Sequence, residues 1–316
     1  MSAVAEAPVA PPEPSAGPRV RRFEWAHTLW AAAKTLRGAI GLVVTLFVIA
    51  VGAIGPFIAP HDPNAFVTLP YAPPNAVAKL GGDSLGRDVY SRVLDGGWQI
   101  LIMAALATAI GVGLGAAAGV SAAYLPGWRD NIIMRFVDVI LAFPQLVFAL
   151  LLVSVVGPKN WLLVIAVGLS HAPQVARVIR SAALDVSERD FVKAVAITGV
   201  PPWKVMNREI LPNLVTPLMV ETGLRMTYSI VIMAGLSFLG FGLQPPSPNW
   251  GSMIKDGQGG LTLNPWAMLA PAIMLAILCI GLNTYTDAVT RSALGVDRAE
   301  KFALTEVMSA TETGSA

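Results

Sequence analysis

Between Trp98 and Tyr124 the chain runs without a single charged side chain, and a helix over that run can cross a lipid bilayer. The hydrocarbon core is ~30 Å thick and a helix rises ~1.5 Å per residue, so about 20 mostly apolar residues span it. Five further stretches qualify or nearly qualify: Gly38–Ala59, Met134–Val156, Trp161–Ala176, Asn213–Phe238 and Trp266–Tyr285. In lipid, backbone N–H and C=O groups must be satisfied within the spanning structure, which favours helices for runs of this length. The expected fold class is all-α integral membrane, with six transmembrane helices.

Composition supports lipid as the second solvent. Hydrophobic residues make up 54% of the 316 and charged residues 13%, with a mean hydropathy of +0.62. A soluble domain carries roughly 25% charged residues. The net charge of +2 is too small to suggest nucleic acid as a partner. Cys279 is alone, so neither a disulfide framework nor a thiolate metal cluster is expected. His27, His61 and His171 are too scattered to read as a metal site. No phosphate-binding loop, nucleophile elbow or zinc motif is present, and no Gly-Lys dipeptide occurs. The chain is therefore not expected to be an enzyme or to bind a cofactor itself.

Lysine and arginine set the orientation. With the N-terminus in the cytoplasm and the spans alternating, most of the 22 cationic residues fall on inside segments, among them Arg19, Arg21, Arg22, Arg177, Arg180, Arg189 and Lys193. Lys79, Arg87, Arg92, Lys159 and Lys255 fall outside. Both termini are then cytoplasmic. The Ala- and Pro-rich start and the tail after about Ala303 carry few bulky apolar residues and are expected to be disordered. The expected division is a cytoplasmic N-terminal tail over 1–24, a first span with an external segment over 25–97, a five-helix core over 98–290 and a C-terminal tail over 291–316. The Gly38–Ala59 run is longer than a signal-peptide core and reads as a retained span.

Within the core, 188–213 forms a long inside loop. Asp190–Ile197 suits a helix, Gly199 a positive-φ break, and Pro201-Pro202 the start of a second helix that Pro212 would close. The pair would present Val195, Val200 and Trp203 beside Lys193 and Lys204, as suits docking into a groove on a partner protein. The spacing resembles the Glu-Ala-Ala loop of ABC-importer permeases. Lys193-Ala194-Val195 stands at the Glu-Ala-Ala position, Gly199 at its glycine and Ile210-Leu211-Pro212 at its end, with lysine replacing the family glutamate. Two external segments are similar to the dipeptide/oligopeptide/nickel branch of these permeases. One is Gly81–Gly97, with Leu85-Gly86-Arg87-Asp88 and Ser91-Arg92; the other is Leu236–Ile254.

The resemblance implies a type I ABC importer fold in the cytoplasmic membrane of a prokaryote. It further implies a second homologous permease subunit, two ATP-binding subunits that carry ATP and Mg, and an external solute-binding protein. By position, Lys193, Ala194, Val195, Gly199, Pro201, Trp203, Lys204, Leu211 and Pro212 would form the ATPase-coupling loop. The cargo would be a di- or oligopeptide or a related solute. A gradient-driven secondary transporter is the alternative, but it would need internal repeats and broken helices at mid-membrane.

Glu221 and Arg225 are four residues apart in the fifth span and share a helix face. A charge at mid-membrane costs about 2.5–3.5 kcal/mol on the lenient insertion scale, so such a pair faces the bundle interior or a watered cavity. Both are translocation-path candidates, with a structural pair as the competing reading. Asp138, one turn from Arg135, is a third candidate, for which a pair with Arg135 is the simpler reading. Gly111, Gly115 and Gly119 on the second span have the four-residue spacing of a close helix contact. His171, beside Pro173, reads as a helix-end residue.

Overall fold

The computed structural model describes residues 24–125, 127–242 and 246–294. The two expected tails lie almost wholly outside those residues. The helices, in chain order, are α1 (Glu24–Ala33), α2 (Leu36–Ile58), α3 (Val89–Asp95), α4 (Gly97–Tyr124), α5 (Trp128–Leu141), α6 (Gln145–Val156), α7 (Asn160–Ser187), α8 (Asp190–Ile197), α9 (Pro202–Val205), α10 (Val215–Phe238), α11 (Trp250–Gly257) and α12 (Trp266–Ala293). No strand occurs among the described residues, only two isolated bridges in the segment between α2 and α3.

Four of these units are long and apolar enough to cross a membrane: α2, α3 with α4, α7 and α12. The expected third span is not one straight helix. It is the pair α5 and α6, bent by 85° at residues 142–144, and counts as a fifth span only if the pair is one. Pro144 favours the break: it has no N–H to donate and disfavours helical backbone at Phe143. α10 has the length of a span, 24 residues, but Glu221, Arg225 and its threonines and serines leave it less apolar than the others. The fourth span does not stop at Ala176 but runs from Asn160 through Pro173 to Ser187. His171 is accordingly buried mid-helix, not at a helix end.

Close backbone approach organises the bundle. α4 and α7 pack along the glycine stripe. A Cβ on Gly111 would sit 2.8 Å from the Gly168 carbonyl oxygen, one on Gly115 2.6 Å from that of Ala172, and one on Gly119 2.6 Å from that of Ala176. These contacts straddle Pro173 and α7 stays helical through it, so the proline is tolerated as it often is in membrane helices. α2 meets α12 in the same way, with a Cβ on Gly41 2.5 Å from the Tyr285 amide nitrogen. One apolar core joins α2, α4, α6, α7, α10 and α12. A second joins α4 and α7 to the 190–214 segment.

At the opposite end from α8, the segment between α2 and α3 folds down onto α11 and the start of α12. Asp88 caps α3 through the Tyr90 and Ser91 amides. The Trp250 indole, fully buried, donates to the Val93 carbonyl at 2.8 Å. Asn264 Nδ2 donates to the Leu80 and Gly82 carbonyls, each at 2.9 Å. The Arg87 and Arg92 side chains are buried on Asp83, at 2.7 and 3.3 Å. A buried charge needs a partner. Gly82-Asp83 thus supplies the carboxylate of one buried cluster, and Leu85-Gly86-Arg87-Asp88 and Ser91-Arg92 supply one cation each.

Candidate functional site

The 188–213 segment turns between α7 and α10 as expected at its start and differently at its end. α8 occupies Asp190–Ile197, and Gly199 breaks it at φ +79°. Pro201 caps α9, and Pro202 is its first residue. Pro212 does not close a helix. The chain passes through a π turn at Met206–Ile210 and a tight turn at Leu211–Leu214 straight into α10. A proline clashes with the carbonyl four residues back, and widening then tightening the helix accommodates it without ending it. Asn213 Nδ2 donates to the Glu209 carbonyl at 2.6 Å, replacing a ladder bond disturbed near the proline.

Val192, Val205, Ile210 and Leu214 are buried against Val175, Ile179, Ala183 and Val186 of α7. Val195 and Val200, expected to be presented outward, are half-buried against that same cluster. The outward face instead carries Phe191, Lys193, Ala194, Ile197, Gly199, Pro201 and Trp203. Ile197 is 86% exposed and Trp203 58%, and Lys204 stands 5.5 Å from the Trp203 ring. Leu211 is half-buried and Pro212 exposed. Two short helices bent at a glycine, anchored by valines beneath, leave an isoleucine and a tryptophan uncovered.

Deeper in the bundle, Arg225 Nε donates to Glu221 Oε2 at 2.9 Å, and both residues are buried. Arg225 also bonds Gln174 Oε1 of α7 and lies 5.5 Å from the Tyr228 ring. One turn away along α7, Gln145 Nε2 donates to the Ser170 carbonyl at 3.2 Å and meets His171 Nδ1 at 2.6 Å. Gln145 is the first residue after the break in the third span. The break is thus pinned to α7 at Ser170 and His171, and α7 to α10 at Gln174.

Asp138 does not pair with Arg135. It accepts from Arg177 at 2.6 Å, with both side chains exposed. Asp130 of α5 is held by two bonds from Arg180, at 2.7 and 2.6 Å. Arg177 and Gln174, both on α7, are site residues that the sequence reading passed over. Their signal was the three- and four-residue spacing of polar residues from Ser170 to Asp185.

Residues 94–294 match the family described as "Binding-protein-dependent transport system inner membrane component". The chain belongs to this family. Its curated relatives include a D,D-dipeptide transport system permease protein of Escherichia coli, 31% identical over 269 residues, covering 85% of this chain and 90% of that protein. A glutathione transport system permease protein of Pectobacterium atrosepticum is 32% identical over 276 residues, covering 87% and 88%. A peptide transport system permease protein of Brucella suis is 34% identical over 251 residues, covering 79% and 84%. Among solved structures, the inward-facing MetNI methionine ABC transporter matches with a TM-score of 0.52 and 16% identity, over 64% of this chain and 95% of the other.

The permease accordingly has the type I ABC importer fold and is a multi-pass component of a transport system in the bacterial inner membrane. A gradient-driven carrier is not favoured. In the permease, the Glu221–Arg225 pair joins Gln174 rather than standing alone on its helix. Asp138 accepts from Arg177, which lines an open groove together with Gln174.

Proposed function

We propose that this permease is half of the translocation pathway of an ATP-driven importer for di- or oligopeptides or a closely related solute such as glutathione. A second homologous six-span subunit completes the path, with α10 and the α5–α6 pair counted as spans here. Two ATP-binding subunits dock on the cytoplasmic side, an external binding protein delivers the solute, and both termini are cytoplasmic. ATP and Mg belong to the docked subunits, and this chain does not hydrolyse ATP. The cargoes in two relatives' names, a D,D-dipeptide and glutathione, support the peptide class.

The observation that carries this reading is the uncovered face of α8 and α9. Exposed apolar residues around charged ones at a bent helix pair are what a partner's groove would bury. Val192 and Val205 tie the pair to α7, so a push on α8 is passed to the polar contacts at Gln174 and Gln145. Trp203→Asp removes a large apolar contact from that face without touching the valines beneath. Gly199→Pro forbids the positive φ that sets the bend. Each variant should insert normally yet lose solute uptake at least tenfold and fail to couple ATP hydrolysis to uptake. Wild-type uptake by both variants at wild-type expression contradicts the docking assignment.

A further inference from the structure

Along α7, Ser170, Gln174, Arg177, Ser181 and Asp185 recur at steps of three or four residues and so share one helix face. Exposure rises along this stripe: Ser170 is buried, Gln174 is half-buried, and Arg177, Ser181 and Asp185 are exposed. The last four line an open groove of ≈ 820 Å³. That groove shares Leu141 and Gln174 with a small cavity at the break in the third span, where Gln145 and Ser170 also lie. The polar face therefore continues as one furrow from the break to the α8 end of the helix. Polar residues on a membrane helix belong on a face that sees a cavity or water rather than lipid.

Arg177 differs from Arg180 and Arg225. Arg225 is buried on Glu221 and Gln174, and Arg180 is held by two bonds to Asp130. Arg177 spends one N–H on Asp138, across an ion pair whose side chains are 58% and 56% exposed. An exposed pair of this kind is weak and separates readily. A guanidinium has five N–H donors arranged to grip a carboxylate with two parallel bonds. We propose that Arg177 and Asp138 form an exchange site for a solute carrying one carboxylate and one ammonium group. The carboxylate takes Arg177 and the ammonium takes the released Asp138. Two pairs replace one, and the net charge in the furrow is unchanged when the solute enters or leaves. Gln174 and Ser181 offer neutral hydrogen bonds on either side, matching the amide groups of a peptide. The proposal rests on the importer reading above and adds the residues that select a zwitterion.

The test uses the permease in its native membranes, with radiolabelled dialanine as the probe. Arg177→Gln should lower dialanine uptake about tenfold at unchanged membrane levels, while Arg177→Lys, which keeps the cation, should recover a measurable part of it. A purely structural role for the pair gives Asp138→Leu/Arg177→Leu wild-type uptake, and that result overturns the proposal. Wild-type uptake by Arg177→Gln overturns it equally. In a second measurement, Ser181→Cys on a Cys279→Ser background is exposed to a membrane-impermeant thiol reagent in inside-out vesicles. Labelling is expected, and protection by dialanine supports the exchange site. Resistance to the reagent means the furrow is covered by another subunit and overturns the proposal. If wild-type membranes take up no dialanine but the cysteine is labelled, the peptide assignment has failed and the zwitterion site with it, while the open furrow stands.

Discussion

A methyl group at Gly115 tests the packing that positions every polar residue of α7. The added Cβ would lie 2.5 Å from Val175 Cβ and 2.6 Å from the Ala172 carbonyl oxygen. Carbon–carbon contact is optimal at about 3.5–4.0 Å, so the two helices must separate by roughly 1 Å or one must rotate. One obstacle is backbone and the other a β-branched carbon, so neither can swing aside. Overpacking of this kind costs about 1–3 kcal/mol. Gly113, on the same helix, has nothing within 4 Å of a Cβ, and replacing a helical glycine by alanine there gains up to ~1 kcal/mol of helix propensity. Gly115→Ala and Gly113→Ala should thus move stability in opposite directions from identical chemistry. At about 2–4 °C per kcal/mol, and with the same propensity gain of up to ~1 kcal/mol set against the clash, Gly115→Ala should still melt a few degrees below wild type in mild detergent, followed by circular dichroism. Gly113→Ala should melt at or above wild type. Equal destabilisation of the two, or none at Gly115, refutes the close-approach argument.

Two other substitutions address buried charge. Asp83→Asn removes the carboxylate that Arg87 and Arg92 share in a buried site, and breaking such a pair costs about 3–5 kcal/mol. A loss below ~1 kcal/mol in chemical denaturation would mean the cluster is solvated. Glu221→Leu and Arg225→Leu should each destabilise by a similar ~3–5 kcal/mol, because each leaves its partner buried and unpaired, while the double variant should lie much nearer wild type. A double variant as unstable as the sum of the singles contradicts that reading of the pair.

Two prolines show how far the sequence could be read. Pro144 and Pro173 both interrupt apolar runs, and the sequence alone suggested the opposite of what each does. Met134–Val156 was expected to be continuous, yet the chain bends by 85° at Pro144. Trp161–Ala176 was expected to end near Pro173, yet α7 passes through it. The difference is tertiary. α7 is clamped on both sides of its proline by the glycines of α4. α5, with Val137 as its one buried residue, has little packing to keep it in line with α6. The length of the apolar runs located the spanning helices, and the four-residue glycine spacing marked a close helix contact, which is that of α4 on α7. Gly199 also was correctly placed as the bend. Local spacing could not choose Asp138's partner, because Arg177 is distant in sequence and reached only when α5 folds against α7. The outward side of α8 was missed for the same reason: Val195 and Val200 look exposed until the α7 cluster beneath them is seen.

The proposed docking of an ATP-binding subunit at α8 and α9 determines what the permease carries with it out of the membrane. The most direct measurement is a mild-detergent pull-down of the chain from its native membranes, with partners identified by mass spectrometry, done in parallel for wild type and Trp203→Asp. Recovery of a second multi-span subunit in both samples, and of an ATP-binding subunit with wild type but weakly with the variant, is the predicted result. Recovery of the chain without an ATP-binding subunit, still active in ion-gradient-driven uptake, would contradict the account.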